Sequence, residues 1–374
     1  QIFVGLYQGS GELKRIGPCV WQMIWFSFLS MLITLPLSLW SSWAYFKGTD
    51  LQTMGPAYFN ILAMGNFLFP LNMALTSFYL GRRKTLCVTL LLLASYALNF
   101  VFCRALVLGV DGWVPALGIQ GAACAKCLSL GLVSAVLLKM FLSHENRERY
   151  ATGSWRFSPT VLWSYAKPGL VKAFGYIWCK SCWLGVSYLM LKRGGLYLEV
   201  QTIGGTIITF LMFIGTGIYR TVVTITSNLL GQKNYTEIWR FISSLMVYVS
   251  IIVTGLAIPL LVYPQSLTCF FSDSSRAAFE RTFNTINHWV WLYFAAFVFQ
   301  FALSGLLMAM RELKVQFYCC LVSEAASLLL VYLTMEFWGW DAGKLWIIMA
   351  LEGVAVGVIF YYRLRQRKWA NATA

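Results

Sequence analysis

The sequence predicts an all-α polytopic membrane protein: two lobes related by parallel internal repeats, with ten full transmembrane helices after an N-terminal stub. Three observations predict it. Of 374 residues 59% are hydrophobic and only 11% charged, under half the roughly 25% of a soluble domain. Ten apolar stretches lack the alternation of membrane strands and reach the ~20 residues a helix needs to cross a ~30 Å hydrocarbon core. The loop charges alternate from side to side. This composition excludes a disordered chain, a nucleic-acid-binding domain and an ordinary cytosolic enzyme. The net charge of +15, with Lys+Arg 29 against Asp+Glu 14, is therefore read as Lys/Arg excess in cytoplasmic loops, and no nucleic-acid partner is expected.

The chain opens on residues 1–7, apolar but too short to span, which read as the end of a helix whose start is missing. No signal peptide is visible. The ten stretches follow at 21–46, 58–80, 85–108, 116–142, 165–191, 202–230, 241–262, 289–310, 315–338 and 345–362. Connections are short except 144–160 and 264–288. The first carries Glu145, Arg147, Glu148 and Arg149 and is read as a cytoplasmic linker over 145–160. It separates an N-terminal lobe (1–144) from a six-helix C-terminal lobe (161–363), with a cytoplasmic tail at 364–374. One set of loops holds 16 Lys/Arg and the other 6. That asymmetry places 82–84, 144–158 and the tail in the cytoplasm and 264–288 outside. Asn371-Ala-Thr373 matches a glycosylation sequon but falls on the cytoplasmic side. The ten cysteines lie mostly in apolar stretches. No second loop pair of Cys/His completes a metal site beside Cys124/Cys127 or Cys179/Cys182, so packing is the expected role and no metal or cofactor is expected.

Internal repetition comes next. Gly9 and Gly231 lie 222 residues apart, Pro36 and Pro259 lie 223 apart, and the runs Ala74-Leu75 and Ala302-Leu303 lie 228 apart, ahead of Arg82-Arg83 and Arg311. Sidedness is kept, so the repeats are parallel. Two such halves around a shared mid-membrane cleft make a two-lobe helical transporter.

The chain resembles the multidrug and toxic compound extrusion (MATE) family. The residues that carry the resemblance are Tyr7-Gln-Gly9-Ser-Gly11 with following Lys/Arg; Pro70, Leu75 and Phe78-Tyr-Leu-Gly81-Arg; Leu117-Gly118-Ile-Gln-Gly121-Ala122-Ala123; Ala166-Lys-Pro168-Gly; and Leu229-Leu-Gly231-Gln232. Their order runs through nearly the whole chain. The resemblance implies twelve helices in two lobes, alternating access and export driven by a H+ or Na+ gradient, with this chain beginning late in helix 2. It also implies departures. The aspartate of helix 1 is not in this chain. The acids some members carry in helices 7 and 10 would fall near Tyr176 and Phe297.

Ionisable groups deep in a bilayer are costly and point to function. Lys126, Lys180, Arg220, Glu324 and Glu352 lie roughly 8 Å or more inside a span end, at ~1.5 Å rise per residue. Glu324 and Glu352 are the ion-coupling candidates; the other reading is a structural interhelical pair. Lys126, Lys172, Tyr176, Lys180 and Arg220 are the substrate-cleft candidates. Lys172, Tyr176 and Lys180 share one helix face, read either as a polar cleft stripe or as two snorkelling lysines around a packed tyrosine. Four cations against two carboxylates within the spans point to an anionic or zwitterionic substrate. The expected function is a secondary-active efflux antiporter for small amphiphilic solutes, not an enzyme, monomeric, in the inner (cytoplasmic) membrane. The rivals are a flippase for an anionic lipid-linked precursor and an intramembrane polyprenyl transferase. The latter needs clustered Asp or His, whereas the acidic loop residues here are scattered.

Overall fold

The computed structural model describes residues 1–48, 52, 54–110, 113, 115–194, 196–262 and 273–366. Among these it is all-helical, without strands. The sequon, the tail beyond residue 366 and residues 264–272 of the predicted outer loop lie outside the described residues.

The helices are α1 (Ile2–Ser10), α2 (Ile16–Phe46), α3 (Met54–Met64), α4 (Leu68–Gly81), α5 (Thr85–Leu108), α6 (Ile119–Phe141), α7 (His144–Tyr150), α8 (Pro159–Arg193), α9 (Leu196–Gly231), α10 (Tyr235–Ala257), α11 (Asp273–Ala309), α12 (Leu313–Glu336) and α13 (Leu345–Arg365). Nine helical segments among the described residues are long and apolar enough to cross a membrane. The tenth predicted span, α8, has 35 residues but carries Lys167, Lys172 and Lys180, so it does not join the nine on composition. Large apolar side chains such as Leu32, Ile33 and Phe213 are over 70% exposed. Water would not tolerate such a surface, and lipid requires it. The chain is a multi-pass membrane protein.

Three elements differ from the sequence reading. The span at 58–80 is two helices, α3 and α4, parted at Gly65–Phe67, where the amide of Leu68 reaches back only to Gly65. Pro70 sits in the first turn of α4, where its missing N–H costs nothing. The predicted loop 264–288 is helical from Asp273 onward, which makes α11 37 residues long. Pro36 lies inside α2, whereas at Pro259 α10 has passed into a π-helical turn, Ile258–Val262.

Two compact units divide the chain, residues 1–167 and 168–374. In the first, Ile16, Leu75, Phe78, Leu137, Phe141 and Tyr150 form the core. The stretch read as a linker is folded against α2. Trp21 Nε1 donates to the carbonyl of Thr152 at 2.6 Å and Gln22 Nε2 to that of Arg156 at 2.7 Å, while Gln22 Oε1 accepts from the amide of Ser158 at 3.2 Å. The approach depends on Gly17, where a Cβ would collide with the carbonyls of Tyr150 and Ala151. Backbone cannot yield as a side chain can. Gly17→Val is therefore expected to lower stability by about 1–3 kcal/mol, the range for overpacking, read as a fall in the melting temperature of the detergent-solubilised protein. An unchanged melting temperature would show that 150–158 is not seated there.

Just past the end of α4, Arg82 is 9% exposed. Its guanidinium lies 4.5 Å from the Phe78 ring centre and 3.9 Å from that of Tyr150, and Nη1 donates to Asn146 Oδ1 at 3.1 Å. Burial lowers its pKa, opposed by Tyr150, yet arginine keeps its proton at any physiological pH.

In the second unit α9, α11 and α13 pack centrally and α12 lies on α13, while α8 touches α12 at Trp178 and Cys179. Small residues make the close approaches, as expected without a hydrophobic drive between helices: Gly204 faces the Trp346 ring and Gly353 faces Ala296.

The internal repeat is visible in the helix ends. After α4, α9 and α11 the chain turns through a left-handed residue, Arg83 (φ 62), Lys233 (φ 57) and Arg311 (φ 61). In each turn that residue's amide bonds the carbonyl three back and the next amide bonds the one five back: Leu80 and Tyr79, Leu230 and Leu229, Met308 and Leu307. This is the Schellman pattern. Arg83 and Arg311 lie 228 residues apart, and Gly11, the left-handed cap of α1, lies 222 before Lys233. The same offsets relate the sequence motifs. Hence α1–α2 corresponds to α9–α10, and α4–α5 to α11–α12. Each later turn is then tied near the last helix of its unit by an arginine. In the first unit this is Arg82 to Asn146. In the second, Arg363 Nη2 contacts both carboxylate oxygens of Glu312 at 3.0 Å.

Candidate functional site

The second unit brings together both candidate glutamates. Cys320, Glu324 and Ser327 share one face of α12 at i, i+4 and i+7. Glu352 projects from α13 toward the same place, and Ser327 Oγ donates to Glu352 Oε2 at 2.5 Å. The next residue on α13, Gly353, is buried. A Cβ there would lie 3.1 Å from that of Ala296 and 3.6 Å from Gln300 Oε1. The glycine thus brings the backbone beside Glu352 close to α11. From α8, Cys179 lies against Glu324, and Lys180 interacts electrostatically with the same carboxylate, as does Glu352. Both glutamates are half-buried. Three helices, α8, α12 and α13, therefore converge on two carboxylates, one hydroxyl, one ammonium and two thiols.

An aromatic ladder runs along α11 from this cluster. Tyr293, Phe297 and Phe301 are spaced four apart, with ring centres 5.8 and 4.1 Å from one to the next. Tyr293 interacts electrostatically with both glutamates and its ring lies 5.8 Å from that of Trp346, which in turn meets Trp183 at 6.4 Å. At the other end Phe301 meets Tyr219 of α9 at 5.9 Å. Lys172 of α8 donates to the Tyr219 hydroxyl, and its ammonium sits 4.0 Å from the same ring centre. Among the described residues no carboxylate pairs with Lys172. The ladder thus joins an acidic end to a basic end. Such a surface can hold a cation between carboxylates at one end and an anion at a lysine at the other, with ring faces between them.

Four of the five cleft candidates lie in the second unit. Lys180 belongs to the acid cluster and also lies 5.5 Å from the Tyr176 ring centre. Tyr176 is itself 63% exposed. Lys172 joins Tyr219. Arg220 follows Tyr219 on α9, is half-buried and interacts electrostatically with that phenol. Lys126 stands in the first unit, exposed on α6. Sequence reasoning missed Ser327, Tyr219, the Cys179–Cys320 contact and the ladder. The i, i+4, i+8 spacing of Tyr293, Phe297 and Phe301 was the available signal. Phe297, where the MATE resemblance would put an acid, is the middle rung. No group of three or more His, Cys, Asp or Glu among the described residues is arranged to hold a metal.

No protein-family model and no curated protein sequence matches the chain. Solved structures do. A eukaryotic MATE transporter superposes with a TM-score of 0.84 at 17% identity, covering 100% of this chain and 83% of its own. A MOP superfamily transporter from Pyrococcus furiosus, described by the reverse polarity of its binding pocket and a suggested different function, gives 0.82 at 14%, covering 100% and 85%. An outward-facing multidrug resistance MATE family transporter of the same superfamily gives 0.81 at 14%, covering 100% and 83%. The chain has the MATE transporter fold.

Proposed function

We propose that the protein is a secondary-active efflux antiporter of the MATE type, exporting small amphiphilic solutes by alternating access against a H+ or Na+ gradient. The observation that carries this reading is the electrostatic interaction of Glu324 with Glu352, which Ser327 bonds, within a transporter fold. Two carboxylates at close quarters inside a membrane repel, and a proton or Na+ bound between them relieves the repulsion. Binding and release of that ion on opposite sides is what coupling requires. No catalytic step is assigned. The protein works as a monomer in the inner (cytoplasmic) membrane, with the Arg82–Lys84 turn inside.

The substrate is anionic or zwitterionic. Lys172 has a phenol and a ring for partners rather than a carboxylate, so its charge is open to a carboxylate or phosphate. The Pyrococcus furiosus transporter, with its reversed pocket polarity, supports the view that this fold does not dictate the sign of its ligand. Uptake into proteoliposomes under an imposed pH or Na+ gradient tests the proposal. Accumulation of an aryl carboxylate, collapsed by an ionophore and competed poorly by an organic cation, is expected. Equal transport with no gradient would remove antiport. Preference for the cation, unaffected by Lys172→Ala, would remove the substrate assignment.

One observation favours the flippase reading. A groove of about 460 Å3 between α8 and α12 is lined by Trp178, Gly185, Tyr188, Leu328, Leu329 and Tyr332, with almost no polar surface. It suits an acyl or prenyl chain, and protection of such a lipid from extraction by the purified protein would mark that alternative.

A further inference from the structure

Two thiols from different helices meet beside the acid pair. Cys179 of α8 and Cys320 of α12 have their sulfurs 2.8 Å apart. The Cys179-x-x-Cys182 spacing in the sequence points elsewhere, to a pair within one helix. The structure instead matches Cys179 with a residue 141 positions away. The two thiols differ in their surroundings. Cys320 donates to the carbonyl of Gly175 at 3.5 Å, so its proton is directed at a backbone oxygen that cannot take it. Cys179 lies against the Glu324 side chain. The neighbouring contact, Trp178 Nε1 donating to the carbonyl of Leu321 at 3.1 Å, holds the two helices in register at this level.

We propose that Cys179 and Cys320 form a reversible oxidation site, closed to a disulfide by hydrogen peroxide, and that the closed form joins α8 to α12 and stops transport. The chemistry balances in two steps. Cys179 gives its proton to water and its thiolate sulfur attacks one peroxide oxygen. An S–O bond forms, the O–O bond breaks, and the departing hydroxide takes a proton to become water. Sulfur is oxidised by two electrons to a sulfenic acid and peroxide is reduced. Cys320 then attacks the sulfenic sulfur. The S–S bond forms, the S–OH bond breaks, and the hydroxide leaves as water with the Cys320 proton. The sum is two thiols and one peroxide giving one disulfide and two waters. Peroxide is small and uncharged, so it reaches a half-buried membrane site where charged oxidants do not. The sulfurs of the two helices are already in contact, so no long approach precedes bridging. Glu324 lies one turn beyond Cys320 on α12, so the covalent tie restrains the helix pair that carries the coupling group.

The functional half of this inference rests on the transport reading; the chemical half does not. The full chain in native membrane vesicles is treated with hydrogen peroxide, capped with N-ethylmaleimide, digested and analysed by mass spectrometry. The expected result is a peptide pair linked through Cys179 and Cys320, lost on dithiothreitol treatment and absent from Cys320→Ser, in which Cys179 sulfenate accumulates. Transport should fall at least tenfold on oxidation and recover on reduction in the wild type, with Cys320→Ser unaffected. No linked peptide, or a linkage of Cys179 to Cys182 instead, would overturn the site. A linked protein that still transports at full rate would overturn the latch. If the reduced protein shows no transport at all, the antiporter reading fails while the linked peptide still decides the thiol chemistry.

Discussion

Glutamine at position 324 or 352 is expected to bring gradient-driven uptake down to the rate seen without a gradient, while substrate binding persists. Gln keeps the shape and the hydrogen-bonding reach of Glu but cannot carry the coupling charge. At position 352 the amide can still accept from Ser327, whose bond to Glu352 is 2.5 Å, so the fold should survive. The two effects should not add. If one ion is shared by both carboxylates, the double variant is as inactive as either single one, whereas independent sites would multiply their losses. Ser327→Ala leaves both carboxylates and should change only the pH or Na+ concentration for half-maximal transport. Proteoliposomes with matched protein content provide the comparison. Full-rate transport by both single variants would place coupling outside this pair.

The second large effect concerns stability. Arg82→Ala is expected to destabilise the first unit by about 3 kcal/mol, combining a charged hydrogen bond of about 1.5–3 kcal/mol with a cation–π contribution of about 1–2 kcal/mol. The guanidinium fills the slot between Phe78 and Tyr150 and binds Asn146. Removing it leaves a void and an orphaned amide oxygen. Lysine restores the charge but not the planar stack, so Arg82→Lys should recover less than half of the loss. Melting curves in detergent decide it. An alanine variant with an unchanged midpoint would show that Arg82 serves orientation alone.

Much of the fold was legible because lipid imposes simple rules. Long apolar runs must be helices, and paired offsets of Gly, Pro and basic residues reveal the repeat. Hydropathy does not register interruptions, so the break at Gly65–Phe67 and the extra turns of α11 before residue 289 went unseen. The polar stretch 145–160 reads as a linker from its charges, and composition does not reveal that its backbone at Thr152, Arg156 and Ser158 bonds Trp21 and Gln22. Glu324 and Glu352 stood out individually, since a carboxylate in a membrane needs a reason. That they share a site depends on helix rotation and on Gly353 bringing α13 close to α11, which spacing alone does not specify.

The three basic left-handed turns impose a cost that glycine would not. A side chain at positive φ is strained by about 1–2 kcal/mol, and Arg83, Lys233 and Arg311 all sit there. Glycine at any of them would relax the backbone. It would also delete a cation from a loop whose charge biases which way the flanking helices enter the bilayer. Thermal hardening and correct insertion therefore pull in opposite directions at these three positions. A version of the protein selected only for heat resistance in detergent should acquire glycines there, and a growing share of its copies should be threaded upside down in the cell.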